Sequence, residues 1–185
     1  MGLRIADTCT VLGTFTSLVD HCRADYTWLD DDTASYTPGW GEKLTKENAT
    51  EVHKADKKKL NPWLYRNSIE LKAVPYMGAV NTYKGGGYVF NFFRDQTRTM
   101  MELADIRDQN WIDLRTRGLL VEFTVYNGNA NLFGSVIMLI EFLANGGPVF
   151  TEEVKVFRVS SYVGGFGIII LLVQVRNNRF ILFLL

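Results

Sequence analysis

Cys9, His21, Cys22 and His53 are the cysteines and histidines of this 185-residue chain, the types most often found as metal ligands or nucleophiles. A structural zinc site needs four such ligands at compatible spacing, and His53 is too remote in sequence from the others, so no metal site is predicted. Twelve residues separate Cys9 from Cys22. The two thiols either form a disulfide that closes a short loop or stay free in a reducing compartment, and the residues leave both alternatives open.

Other short motifs indicate modification or turns rather than catalysis. An Asn-Ala-Thr glycosylation sequon begins at Asn48 in a polar stretch. The Lys-Gly-Gly-Gly run at 84–87 lacks the order of a phosphate-binding loop, so we interpret it as a tight turn before a strand. The acidic run at 30–32 lacks calcium-loop spacing and predicts a solvated loop, and the lysines at 57–59 predict a solvated patch. No nucleophile context surrounds the histidines, so neither enzymatic activity nor a cofactor is predicted.

The composition is that of a globular chain with no net charge. Apolar residues make up 47% and charged residues 22%, with 20 basic side chains balancing 20 acidic ones. Nucleic acid is therefore not an expected partner, because its binding proteins carry excess Lys and Arg. The length fits one domain, and no removable signal peptide is evident at the N-terminus.

Hydrophobic periodicity predicts an α+β fold with an antiparallel sheet. Strands are expected over 119–125, 136–143 and 150–159, joined by short turns rich in Asn and Gly. A helix is expected over 98–109, capped by Asp95 or Thr97, with Met100, Leu103 and Ala104 as its apolar stripe. Residues 28–60 are expected to form loops, and 9–20 a short helix or strand.

The C-terminal region has the apolar character of a membrane-spanning segment. Residues 159–175 carry no charge, but Arg176 and Arg179 interrupt the run before the ~20 apolar residues that a spanning helix needs. One interpretation is a buried strand or helix of the core. The other is the start of a truncated transmembrane helix, which Gly164, Gly165 and Gly167 favour because glycine is tolerated in such helices.

Residues 110–133 resemble the signature of the polycystin family of cation channel subunits. The matching positions are Trp111, Asp113, Thr116, Arg117, Glu122, Phe123, Val125, Tyr126, Asn127, Asn131, Leu132 and Phe133. Gly118 departs where the family has Ala. The segments Trp63-Leu64-Tyr65, 83–88 (with Gly85 and Gly87) and 141–147 resemble further family motifs, so the resemblance extends from about Cys9 to Phe166.

The resemblance implies an extracytosolic polycystin domain over residues 1–160, with a loop lobe at about 9–60, and the start of a truncated transmembrane helix at 161–185. In that family the domain is an antiparallel sheet flanked by helices, and Cys9 and Cys22 fall where channel-forming members carry a disulfide. It follows a membrane helix, so Met1 is expected to be an internal start or the start of a truncated gene model. Beyond about Leu172 the chain departs from the family.

Several residues acquire expected roles from the resemblance. Trp111 would anchor a helix end against the sheet, and Asp113, Arg115 and Arg117 would pair locally or across subunits. Tyr88, Phe90, Tyr126 and Phe133 are expected in the core, and the turn at 84–88 is expected to reach a neighbour. The other motif positions given structural or interface roles are Trp63, Gly85, Gly87, Phe123, Asn127 and Asn131.

The leading functional hypothesis is therefore an assembly and gating module of a calcium-permeable, polycystin-type channel. Its expected partners are other polycystin subunits in a homo- or hetero-tetramer, with membrane lipid at the C-terminal segment. The expected location is a membrane, ciliary or of the endoplasmic reticulum, with this domain extracellular or lumenal. The alternative is a ligand-binding or adhesion module of a receptor-like polycystin without its own pore.

Overall fold

A computed structural model describes residues 1–6, 9–19, 22–55 and 61–158 of the chain. In chain order this part contains β1 (Gly2–Arg4), α1 (Lys46–Ala55), β2 (Tyr65–Arg66), β3 (Tyr76–Met77), β4 (Thr82–Tyr83), β5 (Gly87–Tyr88), α2 (Gln96–Asp108), β6 (Thr116–Asn127), β7 (Leu132–Phe142) and β8 (Pro148–Phe157). The expected α+β character is confirmed in its coarse form, as mostly antiparallel strands with few helices.

Six strands form one sheet in the order β2-β5-β1-β6-β7-β8, and β3 pairs with β4 in a separate hairpin. The N-terminal strand β1 lies inside the larger sheet. Gly2 pairs with Tyr88 of β5 on one side and with Leu119 of β6 on the other, both antiparallel. A β-bulge between Leu3 and Arg4 shifts the register against β6. Such bulges redirect a side chain locally, and the side chain at this one is Arg4.

Apolar residues cover both faces of β1, as expected for an inner strand. Leu3 belongs to a cluster whose other buried members are Ile5, Tyr26, Tyr83 and Leu139. The opposite face approaches a second cluster, formed by Trp63, Tyr88, Ile106 and Trp111. A Cβ on Gly2 would lie 3.0 Å from Cη2 of Trp111, so the indole leaves little room there.

The three long predicted strands are present, but their pattern of exposure differs from the prediction. Contacts between residues divide the chain into two compact units. The first unit contains Met1–Val121 and Met138–Thr151. The second contains Glu122–Ile137 and the residues from Glu152 onward. In β6 the first residues are buried, whereas all those from Glu122 onward are exposed. Period-two alternation locates a strand correctly but does not reveal where along it the packing ends.

Helix α2 confirms the predicted helix, with Asp95 as its cap. The Asp95 carboxylate accepts a hydrogen bond from the Thr97 amide at 3.0 Å. The predicted stripe was wrong at Met100, which is 61% exposed, because Ile106 is the side chain that this helix buries.

The prediction of loops across 28–60 was wrong for α1. The Thr45 hydroxyl accepts a hydrogen bond from the Asn48 amide, a helix-capping contact that composition did not reveal. The segment 9–19 contains a 3-10 turn at Gly13–Phe15 instead of a regular helix or strand. The lysines at 57–59 and the expected transmembrane start at 161–185 lie outside the described residues. Among those that are described, no helix has both the length and the apolar character to cross a bilayer.

Candidate functional site

A buried ion cluster of Arg4, Asp32 and Asp113 joins three distant segments of the first unit. Arg4 Nη1 donates to Asp32 Oδ2 at 2.7 Å, and Arg4 Nη2 donates to Asp113 Oδ2 at 2.8 Å. Asp32 is only 3% exposed. The predicted solvated loop at 30–32 is therefore wrong at this residue, because a buried carboxylate must be paired and Arg4 pairs it.

Aromatic rings cover the guanidinium of Arg4. Its Cζ lies 3.9 Å from the ring centre of Trp40 and 5.4 Å from that of Tyr36, both within cation–π range. Burial alone would lower the pKa of Arg4, but hydrogen bonding and charge from Asp113, then Asp32, produce a net rise. The Tyr36 hydroxyl donates to Asp32 at 3.1 Å. Burial, followed by the Asp32 charge, raises the pKa of Tyr36.

Asp113 also organises the turn that leads into β6. Its Oδ1 accepts hydrogen bonds from the Arg115 amide at 3.0 Å and from the Thr116 amide at 3.1 Å, while the Asp113 amide donates to the Thr116 hydroxyl. These contacts give a physical reason for the Asp-x-x-Thr spacing, since one carboxylate closes the turn and pairs with Arg4.

The two arginines of the same turn bind backbone carbonyls. Arg115 Nη1 donates to the Ala6 carbonyl at 2.9 Å. Arg117 Nε donates to the Ala24 carbonyl at 2.7 Å, and its Nη1 donates to the carbonyls of Leu114 and Thr116. Both arginines therefore bind segments of this chain that are remote in sequence, and Arg117 tethers the segment that follows Cys22.

Glu141 of β7 is a buried carboxylate that holds the turn between β3 and β4. It accepts hydrogen bonds from the amides of Ala79 at 2.7 Å and Asn81 at 3.0 Å, and from the Tyr83 hydroxyl at 3.2 Å. Burial, and then the Glu141 charge, raises the pKa of Tyr83. A Cβ on Gly78 would lie 2.5 Å from the Glu141 carboxyl carbon, so only glycine admits the carboxylate here.

Gly85, Gly86 and Gly87 are buried within this chain, and Lys84 is partly exposed, so contact of this turn with a neighbour stays a prediction. A Cβ on Gly85 would lie 2.7 Å from the Ala73 carbonyl, and one on Gly87 would lie 2.7 Å from the Gly2 carbonyl. The glycines permit close backbone approach on both sides of β5. The interpretation as a turn before a strand is confirmed, since β5 begins at Gly87.

Trp63 and Trp111 anchor the second apolar cluster. Both are buried, and Trp111 Nε1 donates to the Pro62 carbonyl at 2.8 Å. Trp111 lies three residues beyond the end of α2 and against Gly2 of the sheet, which agrees with the anchoring role expected from its large apolar area. Tyr88 is buried among the same residues, which confirms its predicted core position.

The end of the β6–β7 hairpin presents its motif residues to solvent. Phe123 is 42% exposed and Tyr126 is 57% exposed, so the core position expected for Tyr126 was wrong. The Tyr126 hydroxyl donates to Asn131 Oδ1 at 3.1 Å, and Asn127 Oδ1 accepts the Asn129 amide at 3.0 Å. Asn131 has a positive φ of 51°, a left-handed conformation that asparagine tolerates in turns. These asparagines close the hairpin.

Cys9 and Cys22 form a disulfide, with their Cα atoms 5.5 Å apart. The sequence left open whether the two thiols are free or joined, and in the structure they are joined. Asn48, in α1, is exposed. Within the described ranges no group of three His, Cys, Asp or Glu side chains could hold a metal ion.

Sequence reasoning missed Arg4, Asp32 and the role of Glu141. Their partners are distant in the chain, and Arg4 is 109 residues from Asp113. The local signal for Arg4 was an arginine inside an otherwise apolar opening strand, which implies a buried partner. Together these contacts bind segments to one another without assembling a nucleophile, a base and an oxyanion-binding group.

The comparisons with known proteins identify the family. The model of the polycystin domain matches residues 2–160, and the chain therefore belongs to the polycystin-domain family. Polycystin-2 of Danio rerio is 32% identical over 123 residues, which cover 66% of this chain and 14% of that protein. Polycystin-2-like protein 2 of Mus musculus is 30% identical over 163 residues, covering 84% of this chain and 22% of its own length.

A relative named as a receptor also matches. The polycystin family receptor for egg jelly of Homo sapiens is 30% identical over 125 residues, covering 65% of this chain and 5% of that protein. The chain thus spans less than a quarter of the length of each of these relatives. Both channel-like and receptor-like polycystins carry the domain.

Proposed function

We propose that this chain is the extracellular or lumenal assembly and gating module of a calcium-permeable polycystin channel subunit, without catalytic activity of its own. The observation that carries the proposal is the family match over residues 2–160, with relatives named polycystin-2 and polycystin-2-like. On this proposal the partners are other polycystin subunits, in a homo- or hetero-tetramer embedded in a ciliary or endoplasmic reticulum membrane.

Two features of the fold support an extracytosolic assembly role. Disulfides such as Cys9–Cys22 persist mainly in oxidising compartments, where Asn48 could also receive a glycan. The β6–β7 hairpin exposes Phe123, Val125 and Tyr126, and aromatic residues are enriched in protein interfaces. We assign the subunit contact to this hairpin and the C-terminal segment to contact with membrane lipid.

The test uses the complete open reading frame that contains this chain, expressed in cells without endogenous polycystins. Whole-cell recording should detect a calcium-permeable cation current, and native gels should show a tetramer. Phe123→Asp should reduce the tetramer fraction and the current, because a charge would be desolvated at the contact. Met101→Asp, at an exposed apolar position outside the hairpin, is the matched control. An unchanged tetramer fraction and an unchanged current in Phe123→Asp would refute the assignment of the subunit contact to the hairpin.

A receptor-like module is the second candidate, favoured by the match to the egg-jelly receptor. In that case the complete reading frame should encode a long ectodomain upstream of this domain. The protein should then produce no current when expressed alone. Current without a partner would exclude this candidate.

A further inference from the structure

The chain contains Asn-Gly pairs at 127–128 and 145–146, and each lies where one long strand gives way to the next. Both residues of each pair are exposed to solvent. An asparagine followed by glycine can lose its side-chain amide spontaneously, because glycine has no Cβ to hinder attack of its backbone nitrogen on the asparagine carboxamide. The dipeptide and its exposure are alike at the two places, so hydrogen bonding in the two turns is what distinguishes them.

At the first pair the attacking nitrogen is available. The Gly128 amide donates no hydrogen bond within the part of the chain that the structure describes. Its surroundings are open, since a Cβ placed on Gly128 would come no closer than 3.7 Å to Tyr126. The main chain therefore has room to rotate until this nitrogen meets Cγ of Asn127.

Two backbone amides also polarise the carboxamide of Asn127. Its Oδ1 accepts hydrogen bonds from the amides of Asn129 at 3.0 Å and Ala130 at 3.4 Å. When the Gly128 nitrogen attacks Cγ, negative charge develops on this oxygen, and donors already aimed at such an oxygen lower the barrier. The turn thus places an available nucleophile next to an activated electrophile.

The second pair lacks the available nitrogen. The Gly146 amide donates to the Leu143 carbonyl at 3.0 Å, and the Leu143 amide donates to the Gly147 carbonyl at 3.1 Å. These bonds hold the turn with Gly146 at a φ of 90°. Among the described residues, Asn145 Oδ1 accepts a single hydrogen bond, from the Gly147 amide at 3.1 Å. Attack at Asn145 therefore requires that the turn open first, and one donor fewer meets the developing charge.

We propose that Asn127 is a site of spontaneous deamidation and that Asn145 resists this reaction. The Gly128 nitrogen bonds to Cγ of Asn127, its proton passes through solvent to the leaving group, and the Cγ–Nδ2 bond breaks to release ammonia. The resulting succinimide takes up one water molecule. Opening at Cγ gives aspartate, whereas opening at the main-chain carbonyl gives isoaspartate, which adds a methylene group to the main chain.

The modification changes the turn that closes the β6–β7 hairpin. A neutral carboxamide becomes a carboxylate, and in isoaspartate the side-chain carbonyl joins the main chain, so the hydrogen bonds from Asn129 and Ala130 must rearrange. Deamidation itself is independent of the channel role. Its effect on subunit contact rests on the proposed function, which assigns that contact to this hairpin.

The test ages the purified 185-residue chain at neutral pH and physiological temperature and follows both Asn-Gly pairs by peptide mapping with mass spectrometry. Asn127 should convert at least about tenfold faster than Asn145, because one hydrogen bond of the nucleophile and one donor to the oxyanion separate the two turns. An isoaspartyl methyltransferase should detect isoaspartate at Asn127, since direct hydrolysis of the carboxamide yields aspartate alone. Similar rates at the two pairs, faster loss at Asn145, or aspartate alone would overturn the proposal.

Unfolding separates the contribution of the turns from that of the flanking residues. In concentrated urea Asn127 and Asn145 should convert at similar rates, because neither turn persists there. If the ratio of the two rates in urea equals the ratio in the folded chain, the flanking sequence sets the reactivity and the proposal fails.

A glycine variant tests the attack by the Gly128 nitrogen. Gly128→Ala should slow the loss at Asn127 severalfold, because the added Cβ hinders the nitrogen while it makes only an ordinary contact with Tyr126. Gly13→Ala serves as its control, since Gly13 is exposed and a Cβ there would meet no atom within 4 Å. This second variant should deamidate at the wild-type rate. An unchanged rate in Gly128→Ala would exclude the succinimide route and overturn the proposal.

Discussion

At the scale of single residues, a few buried charges hold together segments that are far apart in the chain. Arg4 bridges Asp32 and Asp113, while Arg117 and Glu141 bind backbone groups of other segments. Buried ion pairs contribute little net stability compared with apolar packing, but breaking one leaves a costly unpaired charge. These residues therefore specify which segments meet.

Replacing Arg4 tests this role. Arg4→Met should lower the free energy of unfolding by about 3–5 kcal/mol, because Asp32 would remain buried, and Asp113 partly buried, without their cation. Chemical denaturation followed by circular dichroism measures the change. The control is Arg107→Met, whose ion pair with Asp108 is exposed and which should change stability by less than about 0.5 kcal/mol. Similar losses in both variants would contradict the assigned role.

Gly78 provides a steric test of the Glu141 contact. Gly78→Ala would place a Cβ 2.5 Å from the Glu141 carboxyl carbon, so the turn must move and lose the hydrogen bonds that Ala79 and Asn81 donate. The expected loss is about 2–4 kcal/mol in thermal or chemical unfolding. Gly128→Ala is the control, since its Cβ would lie at an ordinary 3.7 Å from Tyr126. A tolerated Gly78→Ala would show that the turn is not tightly held.

At the scale of elements, the loop segment around residues 9–24 has no long helix or strand to stabilise its described part. Its 3-10 turn spans only Gly13–Phe15, and Leu12, Phe15 and Leu18 are exposed. The Cys9–Cys22 crosslink and the Arg117 contact to Ala24 are therefore major constraints on its conformation.

Removing the crosslink should destabilise the chain. The double variant Cys9→Ser/Cys22→Ser should lose roughly 3 kcal/mol, the value expected when a loop of this length is released in the unfolded state. The control is the wild-type chain in reducing buffer, which should match the double variant. A non-reducing peptide map should also yield one peptide pair joined through Cys9 and Cys22. Separate peptides in that map would contradict the crosslink.

Local sequence patterns located elements better than they located contacts. Strands β6–β8 and helix α2 follow from period-two and helical patterns within single segments. Asp113 was recognised through its family motif, but neither its turn nor its pairing with Arg4 was predicted. That pairing depends on the bulge in β1 and on the approach of two segments that are remote in sequence. Neither feature produces a periodic pattern in the sequence.

At the scale of the whole molecule, the stability of the chain should depend on pH through Asp31. Burial raises the pKa of this carboxyl from 3.8 to about 6, although Lys84 Nζ lies 3.6 Å away and opposes the rise. The folded state then binds a proton more tightly than the unfolded state. Stability from this group is therefore greatest below about pH 4, falls as pH rises to about 6, and is constant above that.

Asp31→Asn should remove this dependence. Two pKa units correspond to about 3 kcal/mol, so the wild-type chain should lose up to that amount relative to the variant between pH 4 and 7. Urea unfolding of both proteins across that pH range measures the difference in their free energies of unfolding. The other carboxyls titrate in both proteins, so their contribution cancels in this difference. Asp30→Asn, at an exposed neighbouring position, is the control. Parallel pH profiles for wild type and Asp31→Asn would refute the assignment.

The position of β1 inside the sheet has a consequence for synthesis on the ribosome. Gly2 leaves the exit tunnel well before its pairing partners, Tyr88 and Leu119. At ~5–20 residues per second, the second partner follows only after roughly 6–24 s. During that interval the amides of the short strand β1 are unpaired, and the strand can bind chaperones or pair with wrong partners. The yield of native protein should therefore depend on how quickly the intervening codons are translated.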